Sequence, residues 1–88
     1  MAQYINGTAD KQVKVGAGKL YGIQCNSTSS GTFVLYDTKN SSTSDPKICN
    51  TVTPAAGGQY LSFPAGIFFS NGLFIDIANT IDYTIVYE

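Results

Sequence analysis

Apolar and polar residues alternate along much of this chain with a period of two, the spacing that sends successive side chains to opposite faces of a β-strand. The clearest run closes the sequence, where Ile81, Tyr83, Ile85 and Tyr87 alternate with Asp82, Thr84, Val86 and Glu88. Upstream, Val13 and Val15 share a face opposite Lys14, and Tyr21, Ile23 and Cys25 share a face opposite Leu20 and Gln24. The run GTFVLYD, residues 31–37, is rich in Thr, Val and aromatics and predicts a strand buried on both sides. No window places apolar residues at i, i+3, i+4 and i+7 behind a cap, so no helix is predicted.

Turn clusters separate these runs: Gly16-Ala17-Gly18, NSTSSG at 26–31, TKNSSTSDP at 38–46, TPAAGG at 53–58, Pro64-Ala65-Gly66 and Asn71-Gly72. Such regular punctuation predicts an all-β chain: a single antiparallel β-sandwich or small barrel, jelly-roll or Ig-like, of seven to eight short strands spanning residues 1–88.

The densest apolar stretch is IFFSNGLFIDI, Ile67 to Ile77, with seven Ile, Leu or Phe residues around Asn71-Gly72. Asn and Gly tolerate the positive φ of a type I′ turn, so the stretch predicts a two-residue hairpin. Alternation gives Leu73, Ile75 and Ile77 one face and leaves Phe74 with Asp76 on the other. The surplus of apolar surface predicts an outward contact face made of Ile67, Phe68, Phe69, Phe74 and Asp76. Phe33, Phe63, Phe69 and Tyr83 are expected to fill core volume, which gives Phe69 two competing assignments.

Composition narrows the function. At 88 residues the chain is one domain, and its 12% charged content is about half the usual quarter. Five lysines, no arginine and a net charge of −1 leave little for counterion release, which argues against nucleic-acid binding. The opening MAQYINGTADKQ lacks a basic segment followed by an apolar one, and no apolar run approaches the roughly 18 residues that span a bilayer. A cytoplasmic product that does not enter membranes is therefore expected, and in that setting Cys25 and Cys49 are expected to be reduced and buried.

Chemistry has few starting points. Without histidine there is no Ser-His or Cys-His pair, and two cysteines cannot build a four-ligand zinc site. VGAGKL has Leu20 where a phosphate loop needs Ser or Thr, so it is read as a turn. Asp76 and Asp82, placed on adjacent predicted strands, are the only candidate acid/base pair, and two solvated aspartates are the simpler reading. Asp37, Asn40 and Asp45 offer oxygen ligands, but Lys39 interrupts the alternation of a calcium loop. No enzyme, metal or cofactor is expected. Surface tyrosines, Tyr21, Tyr36 and Tyr60, define an alternative, a carbohydrate-binding or adhesin module in which rings stack on sugars.

The order GAGKLYGI, SSGTFVLYD, a Ser/Thr loop, FPAGIFFSNGLFIDI and a closing YTIVYE resembles the small single-domain β proteins encoded among virion genes of tailed bacteriophages. The likeness runs from Gly16 to Glu88 and rests on strands and fold-bearing glycines, with no catalytic signature. It implies a structural protein of the particle: a capsid decoration or cement protein, or a small accessory of head, neck or tail. The implied partners are the major capsid protein or another virion protein and further copies of the chain, a trimer being favoured. Residues 1–15 fall outside the likeness and are expected to form an N-terminal arm or an added edge strand.

Overall fold

The computed structural model describes residues 3–41, 43–44, 46–54 and 58–88. They form six strands and no helix: β1 (Gln3–Gly7), β2 (Lys11–Val15), β3 (Gly18–Tyr36), β4 (Lys47–Val52), β5 (Gln59–Phe69) and β6 (Gly72–Tyr87). β3 and β6 are 19 and 16 residues long and pair antiparallel from Leu20↔Tyr87 to Tyr36↔Phe74. β1 and then β2 run along the outer side of β6, while β4 and then β5 run along the outer side of β3. The molecule is thus a four-row ribbon, bent across its middle so that its two halves face each other.

Each half has four strand segments. One half is ordered β5, the first part of β3, the last part of β6, then β1; the other is β4, the last part of β3, the first part of β6, then β2. Eight antiparallel segments result, in a nearly closed barrel-like sheet. Numbered along the chain, their order is 6-3-8-1 facing 5-4-7-2, which is jelly-roll connectivity. The expectation of seven to eight short strands is met in segments, but two pairs of them are continuous strands.

The bend has identifiable causes. NSTSSG, expected to be a loop between strands, lies inside β3, and its register shifts at Cys25/Ser27 and Ser29/Ser30 turn the strand without ending it. Opposite it on β6, Asn79 has φ 64° and Ser30 has φ 54°, both left-handed, and the Asn79 amide donates to the Ser30 carbonyl at 2.8 Å. A Cβ on Gly31 would collide with Ile81 Cγ1 and lie 2.5 Å from the Thr80 carbonyl oxygen, so only glycine lets the two long strands cross this corner so closely. Outside the corner, Thr8 to Asp10 separate β1 from β2, and in the other outer row β4 ends at Val52 before β5 begins at Gln59.

Alternation then fills the interior. Leu20, Ile23, Cys25, Phe33, Leu35, Phe69, Leu73, Ile75, Ile81, Tyr83 and Ile85 form one buried cluster, with Phe63 and Ile77 packed against it. Each fully buried large side chain contributes about 1.5 to 3 kcal/mol. The predicted faces of the run from Leu20 to Cys25 need one correction: a bulge between Leu20 and Gly22 shifts the phase, so Leu20 points inward with Ile23 and Cys25, and Tyr21 points outward. Tyr83 is fully buried, and its hydroxyl donates to the Ala9 carbonyl at 2.6 Å, which ties the corner of the β1–β2 row to the core. Cys25 is buried and Cys49 half-buried, and both are free thiols. Burial raises both thiols above the ordinary range, with a backbone hydrogen bond at Leu35 pulling Cys49 the other way.

Candidate interaction surface

The predicted hairpin at Asn71-Gly72 is not one. Among the described residues β5 pairs with β3 and β6 pairs with β1, β2 and β3, and β5 and β6 do not pair with each other. Residues 70–71 carry the chain from one half of the fold to the other, and neither Asn71 nor Gly72 is among the positive-φ residues. Gly72 is needed for closeness instead: a Cβ there would stand 2.5 Å from the Thr38 carbonyl oxygen and 2.6 Å from that of Lys14.

A polar clasp holds this crossover. Asp37, at the end of β3, accepts backbone N–H bonds from Ser70 at 3.1 Å, Asn71 at 2.8 Å and Gly72 at 3.2 Å, and the Ser70 hydroxyl lies at 3.4 Å. Partial burial pushes the Asp37 carboxyl up, but the donors together outweigh it and hold the group below its ordinary value. Gln12 works beside it: its amide nitrogen donates to the carbonyls of Lys14, Thr38 and Leu73, and its oxygen accepts from the Ser41 N–H at 2.7 Å. Asp37 is therefore a structural acceptor. Asn40, its suggested partner as a cation ligand, is exposed with its backbone N–H on Thr38 Oγ1, and Asp45 lies outside the described residues. Among the described residues no group of three or more acidic or sulfur ligands converges.

The predicted contact face is divided by the fold. Phe68 is 65% exposed, whereas Phe69 is fully buried and belongs to the core. Ile67 is half-buried and packs against the core. Phe74 does lie opposite Leu73 and Ile75, yet it is only 6% exposed, because it sits across from Tyr36 with ring centroids 6.1 Å apart at 59° and each ring covers part of the other. An outward Phe74 is thereby corrected to a buried one.

Asp76 is half-buried, and its neighbour is Asp10 from the β1–β2 corner. Burial first, then the charge of Asp10 and a hydrogen bond to it, raise the Asp76 carboxyl above its ordinary value. Asp10 also accepts from the Ile77 N–H at 2.6 Å. The candidate Asp76–Asp82 pair, already the less favoured reading, does not form: both lie on β6, and Asp82 accepts from Asn6 Nδ2 at 2.9 Å and Asn26 Nδ2 at 3.3 Å.

The three tyrosines do not make a row. Tyr36 is buried against Phe74, Tyr60 is half-exposed, and its hydroxyl lies 2.6 Å from where a Gly22 Cβ would be. Tyr21 donates to Glu88 Oε1 at 2.9 Å, and that hydrogen bond to a carboxylate raises its phenol above the ordinary range.

What the fold does assemble is a shallow concavity of about 290 Å³ lined by Lys14, Ala17, Gly18, Lys19, Phe68 and Glu88. It lies where the two ribbon ends meet. Lys14 Nζ donates to the Glu88 backbone oxygen at 3.0 Å, and Lys19 and Glu88 exchange backbone bonds at 3.1 and 2.8 Å. A Gly18 Cβ would collide with that same Glu88 oxygen, so glycine is required for the approach. The strongly exposed Val15 ends β2 at the same place. Of this group the sequence singles out Phe68 alone as a contact residue; VGAGKL, tried against the phosphate-loop pattern, reads as a turn, and nothing in a linear pattern brings Glu88 beside Lys14.

The fold and surface together define a small all-β jelly roll with one apolar, lysine-flanked end. No family model matches the chain, and neither the curated proteins nor the solved structures searched contain a match to it.

Proposed function

We propose that this chain is a non-enzymatic structural subunit of a virus particle, a capsid decoration or cement protein or another head or tail accessory, made in the host cytoplasm. It acts by associating with further copies of itself and docking on the major capsid protein or another virion protein. It engages neither nucleic acid nor membrane. The observation that carries this reading is Phe68, a large apolar side chain left 65% exposed, with Val15 strongly exposed at the nearby end of β2. The residue-order likeness to phage virion proteins from Gly16 to Glu88 supports it, and jelly rolls build many capsid domains, although that fold serves other functions too. Low charge and open outer rows fit a subunit whose edges are covered on assembly, where many copies add weak contacts into firm attachment.

The test is quantitative mass spectrometry of density-purified particles from cells in which the chain is produced. The reading expects the chain in fixed ratio to the main shell protein after high-salt washing. Its absence from washed particles, with the chain abundant in the lysate, refutes the reading.

A further inference from the structure

We infer that Asn71 is a modification site: its side chain closes on the backbone nitrogen of Gly72, and the position turns from asparagine into aspartate or isoaspartate while the protein stays folded. The chain has two Asn-Gly pairs, Asn6-Gly7 and Asn71-Gly72, and in both the missing Cβ leaves the glycine nitrogen open to attack the asparagine Cγ. The step is an acyl transfer within the chain. A bond forms between the Gly72 nitrogen and Asn71 Cγ, the bond from Cγ to Nδ2 breaks, and the amide leaves as ammonia with the proton that the Gly72 nitrogen gives up through solvent. One water then opens the cyclic imide. Its attack at Cγ leaves aspartate on the original backbone, and its attack at the Asn71 carbonyl carbon leaves isoaspartate, with the main chain rerouted through the side chain.

The fold treats the two pairs differently. Asn6-Gly7 lies inside β1, in register with Thr84 and Tyr83 of β6, and Asn6 Nδ2 donates to Asp82 Oδ1 at 2.9 Å, the Tyr83 carbonyl at 2.8 Å and Thr84 Oγ1 at 3.2 Å. Ring closure there has to undo strand pairing and all the bonds of the leaving amide. Asn71 is exposed in the crossover between β5 and β6, and its side-chain amide makes no hydrogen bond among the described residues. Its restraint is Asp37: the attacking nitrogen is the one that donates to Asp37 Oδ1 at 3.2 Å, the longest of the backbone bonds in the clasp. The carboxylate holds the N–H that must be lost, and its charge opposes the anionic nitrogen, so Asp37 sets the pace at Asn71 and has no such hold on Asn6. The change is one-way and falls where the fold has no slack. Either product puts a second carboxylate beside Asp37, and isoaspartate also lengthens the main chain next to Gly72, where a single Cβ would already stand 2.5 Å from the Thr38 carbonyl oxygen. An aged molecule therefore has a weakened clasp between its two halves.

Peptide mapping by mass spectrometry, with enzymatic methylation to mark isoaspartate, follows both positions during incubation in mildly alkaline buffer, with and without enough urea to unfold the chain. In urea the two pairs are expected to react at similar rates, since only local sequence then acts. In the folded protein Asn71 is expected to react at least about ten-fold faster than Asn6, the factor that one or two ordinary hydrogen bonds impose. Asp37→Ala is expected to raise the Asn71 rate at least about three-fold, the factor of one weak bond, while Asn6 keeps its wild-type rate. Asn71→Asp, which reproduces one product, is expected to lower the thermal midpoint at neutral pH, with the gap to wild type closing in acid, where the added carboxylate is neutral. A folded-state rate at Asn71 no higher than at Asn6, or no product at Asn71 in the folded protein over the time in which urea converts it, overturns the assignment. Equal acceleration of both positions by Asp37→Ala marks general unfolding and overturns the role of Asp37. A midpoint of Asn71→Asp equal to wild type overturns the weakened clasp.

Discussion

Phe68 and Phe74 were assigned to one contact face, and the structure separates them by their surroundings. Phe74→Asp removes a ring buried against Tyr36 and places a charge there, so it should cost at least about 3 kcal/mol. Phe68→Asp should change stability by less than about 0.5 kcal/mol. Urea denaturation of the two variants reads both outcomes. The pH dependence turns on two aspartates of opposite sign. Asp37 is depressed in the fold, so its contribution is complete above the unfolded carboxylate value and is lost as pH falls through the lower folded one. Asp76 is raised, so what it contributes is complete below the unfolded value and is lost as pH rises through the folded one. Asp37→Ala should lower stability at neutral pH by about 2 kcal/mol and flatten the acid limb. Asp76→Asn should raise neutral-pH stability and remove the decline above the acid range. Denaturation midpoints measured from pH 3 to 7 separate the two. Leu73, Ile75 and the run from Ile81 to Ile85 were legible as core because period two alone decides their faces. Phe74 was not, because alternation says which side a ring leaves the strand and not what lies across from it.

The strands themselves were legible as apolar runs, and their continuity was not. NSTSSG looks like a loop by composition, and residues 78–80 carry only the lone Asn79 as a turn signal, yet both are bends within paired strands. The Asn71-Gly72 signal was real as a turn but wrong in kind: its partner strands lie in different halves, and the backbone donors it leaves are taken by Asp37, 34 positions away. Such long-range acceptors have no local signature. Gly31→Ala should destabilise by about 2 kcal/mol or more, since its Cβ would meet the Thr80 backbone. Asn79→Val should cost about 2 kcal/mol, combining a β-branched residue at positive φ with loss of the bond to Ser30. Ser30→Gly should be neutral or stabilising. Thermal melts of the three variants check the corner as a unit, because a bend made elsewhere leaves all three near wild type.

For the molecule entire, the all-β class and the count of segments followed from spacing, whereas the jelly-roll order did not, since nothing local says that 20–28 pairs with 81–87. The lysine-flanked surface at the ribbon ends was invisible for the same reason. The fold's contacts are mostly between residues far apart in sequence, so refolding should take milliseconds to seconds, which stopped-flow fluorescence of the six tyrosines can follow. The two long strands carry a last consequence. Because β3 and β6 each serve both halves, neither half owns a complete set of strands, and the molecule cannot melt one face at a time. Native-state hydrogen exchange should find the amides of 20–25 and 81–86 opening together with those of 33–36 and 74–77, in a single cooperative event. The outer rows β1 and β4 should exchange earlier, by fraying. A chain built this way has two populations when stressed, intact or fully unfolded, and leaves no half-open form to pair wrongly with other chains.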